Sequence, residues 1–120
     1  MNERNNKKAV AAAASAGASQ AANAAKNAAA KAELDKTGRK IVALECDVGD
    51  EAAVKDSFAK TLDALGRVDG CFANAGVSGR SGGKPFTEMT TEEWHRVTRV
   101  NLDGAFYTFR TAAKYMVENK

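Results

Sequence analysis

The amino-acid sequence predicts an α/β fold, a doubly wound parallel sheet with flanking helices. Two short apolar runs, residues 40–46 and 68–76, are separated by an amphipathic helical pattern. Together they predict a strand, a helix and a strand in this order. Such a connection between parallel strands is right-handed by default. A chain of 120 residues with 44% hydrophobic content is long enough for one such domain and too short for two.

The N-terminal part of the chain carries little information, because alanine dominates residues 9–32. On helix propensity we predict a helix around residues 7–16, an uncertain stretch around 19–25 and a helix over 27–36. Gly17 is expected to end the first of these helices.

The apolar, β-branched run 40–46 lies between a helix-ending glycine and Asp47, which predicts a short buried strand. Asp50 is the predicted N-cap of the next helix, and Gly66 is its predicted end. The apolar positions of this helix repeat at helical spacing: Val54, Phe58, Leu62 and Leu65.

The run 68–76 is predicted to be a second strand that enters a turn. A glycine-rich loop over 77–89 follows, with Pro85 as the one proline of the sequence. Thr90 and Glu93 have the spacing of a capping box that opens a helix reaching about residue 117. The apolar positions predicted for this helix are Trp94, Val97, Val100 and Phe106.

Charge and composition exclude several classes of function. A net charge of +3 without a clustered basic face does not fit nucleic-acid binding. Cys46 and Cys71 lack the spacing of zinc ligands or of a disulfide framework, so we expect reduced thiols and no metal site. The sequence has no apolar run of membrane-spanning length, and we expect a cytoplasmic protein.

Polar and small residues follow both predicted strands, where ligands of open parallel sheets bind. Asp47, followed by Val48, could accept a hydrogen bond from an adenine amino group. Asn74 could pin the strand-end backbone, while Ala75 and Gly76 leave room for a ribose. Taken singly, each of these residues is better explained by ordinary turn formation.

Three stretches in this order and spacing resemble the short-chain dehydrogenase/reductase family from about residue 40 to 117: ECDVGDEAAV, GRVDGCFANAG and RVNLDGAF. The resemblance implies a single partial, Rossmann-like NAD(P)-binding domain over 1–120, with 1–39 alanine-rich and degenerate and 40–117 following the family. It further implies hydride transfer between NAD(P) and a carbonyl or secondary alcohol. It also implies a homo-oligomer formed through helix 90–117.

The family's functional residues can be carried onto matching positions of this chain. By this resemblance Asp47 and Val48 hold the adenine, Val100 lies against the cofactor, and Asn101 supports the catalytic proton relay. Asn74, Ala75 and Gly76 stabilise the central sheet and line the cofactor by the same resemblance.

Upstream, the chain departs from the family pattern. If residues 7–19 align with the helix after the family's glycine turn, the first strand is absent and residues 19–27 replace the second. Lys26 then falls near the 2′-phosphate of NADP, which favours NADP over NAD. A surface lysine that opens a helix is the alternative.

Downstream, no residue matches the family's catalytic Ser or its Tyr-x-x-x-Lys pair. Tyr115 and Lys120 are five positions apart rather than four, so they do not form that pair. We therefore expect this chain to be a segment of a dehydrogenase that is inactive alone. The alternative is a non-catalytic Rossmann-like interaction module that associates with another chain.

Overall fold

The computed structural model describes residues 10–13, 20–78 and 85–119. Two strands and four α-helices are formed there, with a 3₁₀ turn at Phe86–Glu88 and a π-helical turn at Arg99–Asp103. In chain order the strands and α-helices are β1 (Val10–Ala13), α1 (Gln20–Asp35), β2 (Ile41–Leu44), α2 (Glu51–Leu65), α3 (Thr91–Thr98) and α4 (Gly104–Glu118).

Strands β1 and β2 form a two-stranded parallel sheet, in which Val10 lies opposite Ile41 and Ala13 opposite Leu44. The predicted helix over 7–16 is therefore wrong where the structure describes it, at residues 10–13. Alanine has the highest helix propensity, but backbone pairing with β2 overrides that local preference. The remaining residues of that prediction lie outside the described ranges.

Helix α1 is continuous from Gln20 to Asp35, so it covers both the uncertain stretch and most of the helix predicted over 27–36. The placement of residues 19–27 in a second strand is wrong, because residues 20–27 are helical. In a doubly wound sheet of order 3-2-1-4, the neighbour of the third strand is the second. The resemblance implies that β2 is the third strand, so its parallel partner β1 would be the second.

Strand β2 and helix α2 confirm the sequence analysis. Ile41 is buried, and the Asp50 side chain caps α2 by accepting a hydrogen bond from the backbone N–H of Ala52 at 2.9 Å. Gly66 ends the helix with φ of 82°, a left-handed conformation that favours glycine.

The strand predicted over 68–76 is not formed. Residues 71–78 alternate between half-buried and exposed, which is the period of a strand, but no ladder pairs them with described residues. In the order 3-2-1-4 the neighbour of this segment is the first strand, and no described residue occupies that position. Phe72 of this segment is 95% exposed.

The predicted capping box is confirmed, since Thr90 Oγ1 accepts from the Glu93 backbone N–H at 3.2 Å and the Thr90 N–H donates to Glu93 Oε2 at 2.9 Å. The predicted long helix reaches Glu118, but it is interrupted. Residues Arg99–Asp103 form a π-helical turn between α3 and α4.

The core is small and joins residues that follow β2 to α2 and to the π-helical turn. Its buried members are Cys46, Val48, Val54 and Val100. Partly buried Ala75, Val77 and Tyr107 are among the residues packed against them. No helix within the described ranges is both long and apolar enough to cross a membrane.

Candidate functional site

Asp47 lies three residues after the end of β2, and its carboxylate is held on both sides. Oδ1 accepts a hydrogen bond from the Gly49 backbone N–H at 3.0 Å, and Oδ2 accepts one from Arg99 Nη1 at 3.0 Å. The side chain remains 41% exposed. The carboxylate is therefore oriented by the protein and still open to a ligand.

Asn101 holds the segment that contains the predicted ribose site. Its Oδ1 accepts from the Val77 backbone N–H at 2.8 Å, and its Nδ2 donates to the Val77 carbonyl at 2.9 Å. The amide thus replaces, at one residue, the backbone partner that a neighbouring strand would supply.

The π-helical turn brings these two loops together. Arg99 contacts the loop after β2, Asn101 contacts Val77, and Val100 between them is 1% exposed in the core with Val48. Successive side chains of a helical turn project in different directions, so three consecutive residues can point inward and to either side. The turn therefore acts as a clamp, defined here as Arg99–Val100–Asn101.

Two glycines permit the close approach of these elements. A Cβ on Gly104 would lie 2.7 Å from Val48 Cγ2 and 3.1 Å from the Val48 carbonyl oxygen. A Cβ on Gly76 would lie 3.3 Å from Asn101 Oδ1. The glycines of the NAG and NLDG stretches, Gly76 and Gly104, thus have a packing role.

The other predicted site residues occupy varied environments. Ala75 is half-buried against the core, whereas Asn74 is exposed and its side chain has no hydrogen-bond partner among the described residues. The pinning contact expected of Asn74 is made by Asn101. Val100 offers little surface to a ligand, since it is almost fully buried beneath Val48.

Lys26 is an exposed residue in the interior of α1. It does not open a helix and does not follow a strand, so the placement that favoured NADP is not realised. The predicted position of Lys26 depended on a second strand at residues 19–27, whereas the strand that pairs with β2 lies at residues 10–13.

Sequence reasoning missed Arg99 and Gly49. A Cβ on Gly49 would lie 2.5 Å from Arg99 Nη1 and 2.8 Å from its Cζ, so the guanidinium lies against the glycine backbone. The sequence signal that could have found Arg99 is its position as a basic residue immediately before the Val100–Asn101 pair. Its partner is 52 positions away, which no local pattern reveals.

Neither thiol is arranged for nucleophilic chemistry. Cys46 is buried, and Ser57 Oγ lies 3.4 Å from its sulfur. Burial raises the pKa of the Cys71 thiol, which disfavours the reactive thiolate. In the described part of the chain, no three His, Cys, Asp or Glu side chains are grouped as metal ligands.

Comparison with known proteins shows the family to which this chain belongs. The short chain dehydrogenase family model matches residues 6–120. The chain is 38% identical over 85 residues to the short-chain dehydrogenase/reductase eriH of Hericium erinaceus, covering 71% of this chain and 32% of the relative. It is also 38% identical over 91 residues to the 2-dehydro-3-deoxy-L-rhamnonate dehydrogenase (NAD(+)) of a Sphingomonas species, covering 76% and 34%.

Solved structures agree. An NAD-bound short chain dehydrogenase/reductase from Burkholderia phymatum matches with a TM-score of 0.73 and 27% identity, over 81% of this chain and 34% of that one. NAD+-bound xylitol dehydrogenase matches with a TM-score of 0.79 at 24% identity, over 92% and 39%, and shows the fold. The chain belongs to the short-chain dehydrogenase/reductase family. It spans about a third of the length of the curated relatives named above.

Proposed function

We propose that this chain supplies the adenine and ribose side of the nicotinamide cofactor site in a short-chain dehydrogenase. The proposed reaction of the whole protein is hydride transfer between the cofactor and a carbonyl or secondary alcohol. The observation that carries the proposal is the clamp Arg99–Val100–Asn101. It joins the loop that contains Asp47, after β2, to the segment that contains Val77, after the strand predicted over 68–76. Those loops lie where doubly wound sheets bind dinucleotides.

Each site residue has a role in the proposal. The half-exposed Asp47 carboxylate would accept a hydrogen bond from the adenine 6-amino group, beside Val48. Asn74, Ala75 and Gly76 would face the adjoining ribose. Bound nicotinamide cofactor would supply the hydride chemistry itself.

Asn101 would hold a water of the proton relay. Both ends of its side-chain amide already bond to the Val77 backbone, so the water would bond to the main-chain carbonyl of Asn101. A π-helical turn favours this arrangement, because it disturbs the regular helical hydrogen bonds and such turns are frequent at functional sites. Val100 would support the site from beneath.

NAD is the proposed cofactor. The Sphingomonas relative is named as an NAD(+) enzyme, and the Burkholderia phymatum structure contains NAD. The basis for preferring NADP was Lys26, which is in the interior of α1.

The chain alone is proposed to bind cofactor weakly and to be inactive, because no residue matches the catalytic Ser or the Tyr-x-x-x-Lys pair. Titration with NADH, followed by nicotinamide fluorescence and by amide NMR, tests this. We expect no micromolar binding by fluorescence, and at millimolar NADH we expect amide shifts at residues 47–49 and 74–77. Asp47→Asn should weaken these shifts, and Asp56→Asn, an exposed change on α2, should not. Micromolar binding would contradict the weak-affinity proposal, and shifts confined to other residues would contradict the site.

A non-catalytic module that associates through α4 is the second candidate function. Four large apolar residues of the π-helical turn and α4 are at least half exposed: Leu102, Phe106, Phe109 and Val117. Exposed apolar surface of this kind favours association of two copies. Size-exclusion chromatography with light scattering should detect a dimer that Phe109→Glu dissociates and Phe72→Glu does not. A monomer at all concentrations would count against this candidate.

A further inference from the structure

Arg99 is the clamp residue that contacts Asp47, the proposed acceptor for the adenine amino group. Its guanidinium is 3.0 Å from Asp47 Oδ2, while the Gly49 N–H holds Oδ1 at the same distance. Two donors on opposite oxygens fix the rotation of the carboxylate about its last bond. Without Arg99, only the Gly49 contact would limit this rotation.

The carboxylate held in this way keeps capacity for a ligand. Each oxygen accepts about two hydrogen bonds, and each receives one from the protein. The side chains of Arg99 and Asp47 are 43% and 41% exposed, so solvent and small molecules reach the pair. Arg99 thus orients Asp47 without covering it.

The position of Arg99 depends on the absence of a side chain at residue 49. A Cβ there would lie 2.5 Å from Nη1, 2.8 Å from Cζ and 2.9 Å from Cγ of Arg99. All three atoms belong to a flexible side chain, which can move aside. Gly49→Ala would therefore displace the guanidinium while leaving both charged residues in the sequence.

We infer that Arg99 is a positioning residue for adenine recognition: it fixes the Asp47 carboxylate in the orientation that selects a 6-amino purine over a 6-oxo purine. The inference rests on the proposed function and deepens it. A 6-amino group donates to a carboxylate, whereas a 6-oxo group presents an acceptor to it and is repelled. An oriented carboxylate distinguishes the two bases more sharply than a rotating one.

The test compares AMP with IMP, which share ribose and phosphate, by amide NMR titration of the full chain at millimolar nucleotide. For the unaltered chain we expect AMP to shift the amides of residues 47–49 with about tenfold higher affinity than IMP. Arg99→Met and Gly49→Ala should each lower the affinity for AMP until it equals the affinity for IMP. The affinity for IMP should not change. Arg67→Met, which removes an exposed arginine paired with Asp69, should keep the preference.

Retention of the AMP preference in Gly49→Ala or in folded Arg99→Met would overturn the inference, as would tighter AMP binding in either. Gly49→Ala decides the matter if Arg99→Met does not fold. Equal affinity of the unaltered chain for both nucleotides, with shifts at 74–77, would overturn the role of Arg99 and leave the cofactor site standing. Absence of shifts at both 47–49 and 74–77 would overturn the proposed function as well.

Discussion

Asn101 is the residue on which the segment around Val77 depends. Replacement by alanine removes two hydrogen bonds to the Val77 backbone, and we expect a loss of about 1–2 kcal/mol in the free energy of unfolding. Urea denaturation measures this loss. Asn119→Ala is the matched control, because it removes one contact with Tyr115 at the end of α4 and should change stability by less. Equal effects of the two substitutions would contradict the clamp.

Glu51, in the first turn of α2, gives a pH-dependent prediction. A hydrogen bond from Lys55, together with the charge of Arg110, lowers its pKa below the usual 4.5. A carboxylate whose pKa is lowered by folding stabilises the protein above its unfolded-state pKa, and this stabilisation is lost as the pH falls through the folded-state pKa. Glu51→Gln should therefore reduce thermal stability slightly at pH 7, and the reduction should disappear as the pH falls through the folded-state pKa. The effect is small because both ion pairs are exposed.

At the scale of elements, Gly104 sets the distance between α4 and the loop after β2. Gly104→Ala places a methyl group 2.7 Å from Val48 Cγ2 and 3.1 Å from the Val48 backbone oxygen, which cannot move aside as a side chain can. We expect a destabilisation of about 1–3 kcal/mol in urea denaturation. Gly70→Ala is the control, since a Cβ there meets nothing within 4 Å. A mild effect at Gly104 would show that α4 shifts freely.

The elements that the sequence predicts correctly are those with local signals. Asp50 and Gly66 mark the two ends of α2, and Thr90 with Glu93 marks the start of α3. Strand β1 was missed because its alanines favour helix and only pairing with β2, some 31 positions away, makes them extended. The family resemblance implied that Asn101 interrupts its helix, and the π-helical turn at Arg99–Asp103 agrees with this. Its contacts with distant loops had no local signal.

The residues of the candidate site could be predicted from the sequence, but the contacts between them could not. The order of the DV, NAG and VN stretches predicts Asp47, Asn74 and Asn101 as members. It did not reveal that Asn101 makes the contact expected of Asn74, nor that Arg99 holds Asp47. These facts depend on side-chain directions that spacing alone does not determine.

At the scale of the whole molecule, residues 71–78 pair with no described strand, and Phe72 within them is 95% exposed. We expect Phe72→Ser to change the free energy of unfolding by no more than about 0.5 kcal/mol and to raise solubility. Val100→Ala, in the core, should cost about 2 kcal/mol. Chemical denaturation and sedimentation of concentrated protein measure the two properties. A costly Phe72→Ser would mean that another element covers this side chain.

The Asp47–Arg99 ion pair joins residues 52 positions apart, which has a consequence for folding kinetics. Contacts between distant residues carry the loop-closure entropy of the intervening chain and tend to form after local helices. We expect Arg99→Met to accelerate unfolding more than it slows refolding, as measured by stopped-flow fluorescence of Trp94. The nucleotide site would then be completed after the transition state for folding, when α2, α3 and α4 already exist.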